Sequence, residues 1–425
     1  GDLVPDGPAE VVLDGWGYED THETLNAFVW GPDGWLYGCH GVFTHSRVGK
    51  PGTPQAERVP LNAGVWRLHP RTREFEVFAW GTSNPWGVDF DANGQAFVTA
   101  CVIPHLWHLA QGGRYLRQAG DHFGAHVYAD IGTIADHLHY LGDTPHDGNY
   151  RSDSLGGGHA HCGLLLYQGD SFPAEYRGAL LFANVHGNRI NSDILERKGS
   201  GFVGKHGPDF LLANDRWFRA VSLRQGPVGE VYLIDWYDPQ ACHRNETEIW
   251  DRTNGRLYRI AHGERTHATV DLAAASEAEL VALQRSRDEW YVRTARRLLA
   301  ERGLGTSGSA MLVEMLTSDP DPTVRLRALW TLHSAGALDE VLLLAALDSR
   351  HEYVRAWAVQ LLFERDSPSG SALARCAHLA RTDVSPVVRL YLASALQRIA
   401  PEQRWDIAEA LVARSEDTLD HNLPL

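Results

Sequence analysis

The chain has 425 residues, of which 44% are hydrophobic and 22% charged, values typical of globular proteins that exclude a disordered or fibrous chain. Its net charge of −15 disfavours a nucleic-acid partner, and no run approaches the roughly 18 apolar residues of a membrane span, so no transmembrane segment is expected. Five cysteines without a Cys-x-x-Cys pair exclude covalently attached haem in this chain.

Strand-turn-strand units recur through the first 260 residues. Hairpins are predicted over 28–40, 88–100 and 221–235, where Asp33-Gly34 and Asn93-Gly94 supply the turn residues that hairpins need, and 180–184 resembles the second strand of another unit. This repetition favours a β-propeller over a β-sandwich, and about four or five blades fit the length. We therefore predict a β-propeller, either incomplete or of the six-bladed class.

The pattern becomes helical after residue 262. Val-Arg pairs recur at 292–293, 324–325, 354–355 and 388–389, between apolar stretches with helical spacing. This layout is typical of an all-α HEAT-type solenoid, which braces a neighbouring domain or holds a partner such as an electron-acceptor or scaffold protein. We assign residues 1–262 to the propeller, 263–275 to a linker and 276–425 to the helical repeats.

Polar residues cluster where the predicted hairpins end. Alignment of the hairpins on their turn glycines places His40, Ala100 and Asp235 at one equivalent strand end, so residues just beyond them should share one channel mouth. The other residues expected there are His45, Cys101, Pro104, His105, His186, Arg189, Trp236 and Asp238. Asp235 and Asp238 offer carboxylates to a hard cation such as Ca²⁺.

Several of these positions have both a chemical and a structural interpretation. His22 is either a general base at the channel or a loop histidine bonded to backbone. His159 and His161 share one face of a strand, so they either bind one metal ion or satisfy neighbouring carbonyls. Arg216 and Arg219 either clamp a carboxylate or phosphate or form salt bridges between blades.

Eight motifs occur in order along the first region. Together they resemble the "membrane-bound dehydrogenase" propeller proteins of planctomycetes and verrucomicrobia, in which helical repeats commonly follow. That family is similar in turn to the soluble quinoprotein glucose and sorbosone dehydrogenases. The motifs are Asp20-Thr-His22, the run 38–47, the run 82–87, the run 100–105, Gly156-Gly-Gly-His-Ala-His161, His186-Gly-Asn-Arg-Ile190, Asp235-Trp-Tyr-Asp238 and the run 250–255.

The resemblance implies pyrroloquinoline quinone (PQQ) and Ca²⁺ at the channel mouth. It places His22 at the position of the catalytic histidine, and Arg216 and Arg219 approximate two rim arginines. The implied cofactor-binding positions are Asn84, Cys101, Pro104, His186, Arg189 and Trp236. Ser83 replaces a quinone-contacting arginine and His186 a quinone-holding lysine, and these two departures argue against PQQ.

Three functions follow as hypotheses. The first is a sugar or polyol oxidoreductase in which His22 is the base. The second is a metal-dependent carbohydrate lyase or hydrolase, with a divalent Ca²⁺ or transition-metal ion on His159, His161 and a third histidine from among His40, His45 and His105. The third is a non-enzymatic propeller-solenoid module that binds glycan or protein. We expect an exported protein, periplasmic or at the cell surface, whose export signal is absent from this chain. Members of the resembled family often carry further N-terminal blades and a C-terminal haem module, so this chain is either a fragment or a member that passes electrons elsewhere.

Overall fold

The computed structural model describes residues 4–21, 24–101, 105–123, 128–139, 160–239, 251, 253–263, 270–364 and 368–425. A sheet-rich region that ends at Ile260 precedes a helical region whose first α-helix begins at Glu277, so the coarse prediction is confirmed. The propeller, the solenoid and the domain limits stay predictions. Within these ranges no helix combines the length and apolar character needed to cross a bilayer.

The first sheet grows from the first predicted hairpin. Its order is β1-β2-β5-β6-β10, antiparallel except for β10 (Arg114–Tyr115), which runs parallel to β6. A separate pair, β3 and β4, lies outside that order. The first six strands are β1 (Asn26–Trp30), β2 (Leu36–His40), β3 (Ser46–Val48), β4 (Val59–Leu61), β5 (Gly64–Leu68) and β6 (Phe75–Gly81).

Three further antiparallel sheets follow, and the predicted hairpins are confirmed in them. The second sheet comprises β7 (Asn84–Phe90), β8 (Ala96–Cys101) and β9 (Leu106–Leu109). The third comprises β11 (His161–Leu166), β12 (Leu180–Asn184), β13 (Arg189–Lys198), β14 (Gly201–His206) and β15 (Leu211–Leu212). The fourth comprises β16 (Ala220–Gln225), β17 (Val231–Asp235) and β18 (Arg256–Ile260).

The first strand pair of each of the four larger sheets has a register shift at an equivalent place, which marks these four sheets as variants of one unit. Glycine permits close strand contact there. A Cβ on Gly87 would lie 2.3 Å from the nitrogen of Leu164, and one on Gly163 would lie 2.7 Å from Cα of Ser222. The first strands of the second, third and fourth sheets therefore pack against one another in chain order.

Nine α-helices form the described part of the helical region. Asp288, Asp321 and Ser385, at turns predicted to open helices, each accept a backbone N–H as N-caps. The helices are α1 (Glu277–Ala282), α2 (Glu289–Arg302), α3 (Thr306–Ser318), α4 (Pro322–Ser334), α5 (Glu340–Ala346), α6 (Glu352–Phe363), α7 (Gly370–Thr382), α8 (Pro386–Ala395) and α9 (Trp405–Val412).

The helical region covers the turn end of the sheets. A Cβ on Gly34 would lie 2.7 Å from Cβ of Ser334, and the Trp357 indole N–H donates to the Asn93 carbonyl at 2.8 Å. In the third sheet the turn at Ser200 donates its N–H to Asp420 at 2.7 Å. The opposite end, where β2, β8, β12 and β17 terminate, is the end on which the sequence places the candidate site.

Replacing Gly94 by alanine should loosen this junction. Gly94 has φ +73°, and a Cβ there would lie 2.6 Å from Trp357 and 2.7 Å from Trp330. Gly52→Ala is the matched control, because Gly52 has φ +85° with open space around it. Urea denaturation should show Gly94→Ala about 1–3 kcal/mol less stable than Gly52→Ala. Equal losses would mean that the two tryptophans do not limit the space at this turn.

Candidate metal centre

Three histidines and one aspartate converge between the second and third sheets. Nε2 of His105 lies 2.8 Å from Oδ2 of Asp193, and Nε2 of His139 lies 2.7 Å from Oδ1. Nε2 of His137 is 3.1 Å from Oδ1 and only 3.0 Å from Nε2 of His139. One ligand atom from each of the four residues lies within 4.8 Å of the others. We call these four residues the His3Asp cluster.

Strand pairing brings the cluster together from distant parts of the chain. His105 lies directly before β9, and Asp193 lies in the middle of β13. The two other histidines follow a segment held by both sheets: Ile134 N–H donates to a β9 carbonyl at 3.0 Å, and Asp136 N–H donates to a β14 carbonyl at 3.1 Å. The cluster therefore joins both sheets and the segment between them.

Two more imidazoles lie beside the cluster. The ring of His161 is 5.0 Å from that of His105 and 5.8 Å from that of His139, centroid to centroid. The ring of His206 is 4.7 Å from His139 and 5.1 Å from His137. His161 is buried whereas His206 is exposed, so the group runs from the protein interior to its surface.

The charge states of Asp193 and His139 suit a cation. Burial alone would raise the pKa of Asp193, but His105 and hydrogen bonds from the other two histidines hold that pKa well below its usual range. Burial lowers the pKa of His139 to about 3, which favours the neutral imidazole. Burial would lower the pKa of His137, but the hydrogen bonds and the charges of Asp193 and Asp136 outweigh burial and raise that pKa. An anionic carboxylate beside a neutral imidazole is what a metal ion requires of such ligands.

A network of hydrogen bonds alone explains this geometry poorly. If His137 and His139 both donated to Asp193, two N–H groups would face each other across 3.0 Å. If one of them accepted from the other, it could no longer donate to the carboxylate. A cation between the nitrogen lone pairs removes this conflict, so the donor atoms fit a bound metal ion better than protons alone.

The donor set also selects the kind of ion. Ca²⁺ takes six to eight oxygen ligands. The His3Asp cluster instead offers three imidazole nitrogens and one carboxylate. Imidazole with carboxylate suits Zn²⁺, Mn²⁺ or Fe²⁺. The cluster therefore fits a first-row transition metal.

The metal ligands predicted from the sequence separate in the structure. His105 belongs to the cluster and His161 lies beside it, whereas His159 falls outside the described residues. His40 is buried elsewhere, with Nε2 2.7 Å from the Ser46 hydroxyl. His45 is exposed and its ring lies tilted beside that of Phe123, with ring centroids 5.7 Å apart.

The two aspartates proposed for a hard cation bind backbone amides. Oδ1 of Asp235 accepts the N–H groups of Arg219 at 2.7 Å and Tyr237 at 2.8 Å. Oδ2 of Asp238 accepts the N–H of Asp251 at 2.9 Å. These contacts shape the turn after β17.

The predicted catalytic positions differ in environment. His22 lies outside the described residues. Arg216 is exposed, as a rim position would be, and Arg219 is buried. The Arg219 guanidinium donates to the carbonyls of Val185 at 3.0 Å and Pro239 at 3.1 Å, so it fastens loops at this end of the sheets.

Two of the positions implied for a quinone have partners within the protein. Asn84 accepts the N–H of Val42 at 2.9 Å, and the Arg189 guanidinium pairs with Asp209. The other implied positions differ in burial: Cys101 is half-buried at the end of β8, His186 is buried between β12 and β13, and Trp236 is exposed after β17. Pro104 lies outside the described residues. This cofactor-binding set stays a prediction, and since Ser83 stands in place of a quinone-contacting arginine we derive no step through PQQ.

Three of the four ligands were missed by sequence reasoning: His137, His139 and Asp193. A signal for the histidines exists, because His137-Leu-His139 repeats the spacing of His159-Ala-His161. Asp193 carries no comparable signal, since only the packing of β13 against the second sheet brings it to the imidazoles.

Comparison with known proteins gives one family and distant structures. No curated protein sequence matches the chain. An oxidoreductase (glucose dehydrogenase) from Thermus thermophilus shares 17% identity at TM-score 0.33, and the match covers 55% of this chain and 63% of that one. The chain thus spans less than two thirds of the Thermus protein.

Two other solved structures are equally distant. A glucose dehydrogenase shares 16% identity at TM-score 0.29, with 57% of this chain and 83% of that chain covered. A designed armadillo repeat protein in complex with a (KR)4 peptide shares 21% identity at TM-score 0.21, with 32% and 70% covered. The family described as "Domain of unknown function (DUF7133)" matches residues 2–264, which include all four sheets. Because this match spans more than half of the 425 residues, the chain belongs to that family.

Proposed function

We propose that this protein is a metal-dependent oxidoreductase of sugars or polyols, with a first-row transition-metal ion on the His3Asp cluster. The observation that carries the proposal is the 3.0 Å separation of the His137 and His139 Nε2 atoms beside the Asp193 carboxylate. The sugar or polyol substrate and the oxidative chemistry rest on the eight motifs that resemble propeller dehydrogenases. The propeller, the helical solenoid and a location outside the cytoplasm belong to the same proposal.

Among the residues that the structure describes, His137 is the ligand of the cluster that lies nearest the protein surface. The side chains of His105, His139 and Asp193 have no exposed surface, whereas that of His137 is 14% exposed and His206 beside it lies at the surface. A substrate hydroxyl would therefore approach from the side of His137. An ion held by His105, His137, His139 and Asp193 would polarise a substrate hydroxyl that reached it from this side, and would thereby lower the pKa of that hydroxyl.

The reaction needs an external oxidant, for which we propose a quinone-type acceptor. The hydroxyl-bearing carbon loses its hydrogen as a hydride, which is one proton with two electrons, and the hydroxyl loses its proton. The acceptor takes up two electrons and two protons, so that the products are a carbonyl compound and a quinol.

Activity measurements test this proposal directly. We expect the protein loaded with Mn²⁺ or Fe²⁺ to oxidise at least one sugar or polyol from a panel with a quinone-type dye, and to lose activity after chelation. His137→Ala should lower turnover by at least about 100-fold, while His378→Ala, at an exposed position of α7, should leave it unchanged. Turnover that survives both chelation and His137→Ala would contradict the proposal.

A second candidate is a structural metal site in a non-enzymatic module. It is favoured by the complete burial of three of the four ligands between two sheets. Structural sites have closed coordination and contribute to folding stability. A protein that binds the metal and melts earlier after chelation, but oxidises no substrate in the panel, would support this candidate over the first.

A further inference from the structure

A cationic cavity lies at the opposite end of the molecule, where the first sheet meets the helical region. Its volume is about 390 Å³, which is in the range of small-molecule sites. The first hairpin turn, the turn after β5 and the helices α2 and α4 form its walls. Four arginines line it: Arg71, Arg293, Arg296 and Arg297. The acidic residues of the lining are Asp33 and Glu301.

Most charges around this cavity are already matched. Arg293 pairs with Asp89 at 2.6 Å, and Arg297 lies 3.5 Å from Glu301. Behind the cavity, Arg327 pairs with Glu289 at 2.7 Å. Asp33 likewise has a partner, in an ion pair with an arginine of β5. The acidic residues near the cavity thus have cationic partners other than Arg296.

Arg296 is the exception. Its side chain is buried, with 5% of the residue exposed, and Nη1 has no hydrogen-bond partner among the described residues. Its guanidinium carbon lies 5.5 Å from the centre of the Trp330 ring. Burial lowers the pKa of Arg296 to about 10, which still leaves the group cationic at neutral pH. Glu289 and Asp33 act on Arg296 as nearby charges that raise its pKa, but each forms its ion pair with another arginine. A buried guanidinium that has no carboxylate in direct contact among the described residues is costly unless a ligand supplies the anion.

We propose that this cavity binds the oxyanion of a small molecule, a phosphate ester or a carboxylate, with Arg296 as its main contact. Guanidinium groups recognise both anions through paired hydrogen bonds. Arg71 adds charge at the junction, where its Nη2 donates to the Ser334 carbonyl at the end of α4 at 2.7 Å. A bound anion would contact both regions of the protein and tighten the junction between them. This site is separate from the His3Asp cluster and does not depend on the proposed function.

Calorimetric titration of the full chain tests the site. The probes are inorganic phosphate, glucose 6-phosphate and glucuronate, with glucose as the neutral control. We expect at least one anionic probe to bind and to raise the melting temperature through Arg296, whereas any effect of glucose, which belongs to the substrate class proposed for the His3Asp cluster, should be the same in the parent and in Arg296→Met. Tighter binding of glucose 6-phosphate than of glucuronate assigns a phosphate ligand, and the reverse order assigns a carboxylate. No binding by any of the three anions would overturn the proposal.

Two variants and one control make the test specific. Arg296→Met should weaken binding of the anionic probe at least about tenfold while leaving the melting temperature without ligand unchanged or higher. Glu301→Gln removes a negative charge from an exposed side of the cavity and should strengthen binding. Arg381→Met, at an exposed position of α7, should bind as the parent does. Parent-like binding by Arg296→Met, or weaker binding by Glu301→Gln, would contradict the assignment.

Discussion

Replacing Asp193 by asparagine should weaken binding of Zn²⁺ or Mn²⁺ by at least about 100-fold. The substitution preserves side-chain size but removes the only negative charge among the four ligand groups. Both carboxylate oxygens are in use, Oδ2 towards His105 and Oδ1 towards His137 and His139, so all three imidazoles lose their common anionic partner. The measurement is competition against a metal-chelating dye at fixed pH.

Stability provides a second readout of the same substitution. Because the cluster joins the second and third sheets, bound metal should stabilise the folded state by mass action. Chelation should therefore lower the melting temperature of the parent and leave that of Asp193→Asn unchanged. Asp406→Asn, the same substitution at an exposed position of α9, should behave as the parent does. Equal metal affinity in Asp193→Asn and Asp406→Asn would remove Asp193 from the ligand set.

Replacing Arg67 by methionine should cost about 3–5 kcal/mol of folding stability. Arg67 is buried in β5, where its Nη1 lies 2.8 Å from Asp33 and 2.7 Å from Glu364, and its Nε donates to Glu76 at 2.6 Å. Its guanidinium carbon also lies 4.2 Å from the centre of the Trp35 ring. Methionine keeps much of the volume but leaves three carboxylates with one cation fewer in a buried site.

The matched control is Arg73→Met in the same part of the chain. Arg73 pairs with Glu10, but both side chains are largely exposed, so the loss of stability should be much smaller than that of Arg67→Met. Urea denaturation of both variants measures the difference. Adding Glu364→Gln to Arg67→Met should restore part of the stability, because it removes one of the uncompensated charges. A loss of stability below about 1 kcal/mol for Arg67→Met would mean that its ion pairs with Asp33, Glu76 and Glu364 do not hold the sheet-rich region to the helical region.

The parts of the fold that local chemistry determines could be predicted. Asp33-Gly34 and Asn93-Gly94 terminate the strands that the alternating pattern predicts, and both hairpins are present. The starts of α4 and α8 follow equally from Asp321 and Ser385, each ahead of a proline at the first helical turn. Turns and helix caps depend on residues that are neighbours in the sequence, so the sequence of one chain is enough to identify them.

The candidate site required information that the sequence does not contain. The hairpin alignment predicts that His105 and His40 lie at one channel mouth. In the structure His105 contacts Asp193 between the second and third sheets, whereas His40 forms a hydrogen bond with the Ser46 hydroxyl. Which face of β13 carries Asp193 inward depends on its register with β12, and this follows from sheet packing. His139 could have been predicted from the sequence, since it follows His137 at the same spacing as His161 follows His159.

X-ray absorption at the metal edge of protein loaded with one equivalent of Zn²⁺ tests the proposed centre most directly. The structure predicts a first shell of nitrogen and oxygen at about 2.0–2.2 Å, with the multiple scattering of three imidazoles and no sulfur. A shell of water oxygens without imidazole scattering, or a zinc–sulfur distance, would show that His105, His137, His139 and Asp193 are not the ligands.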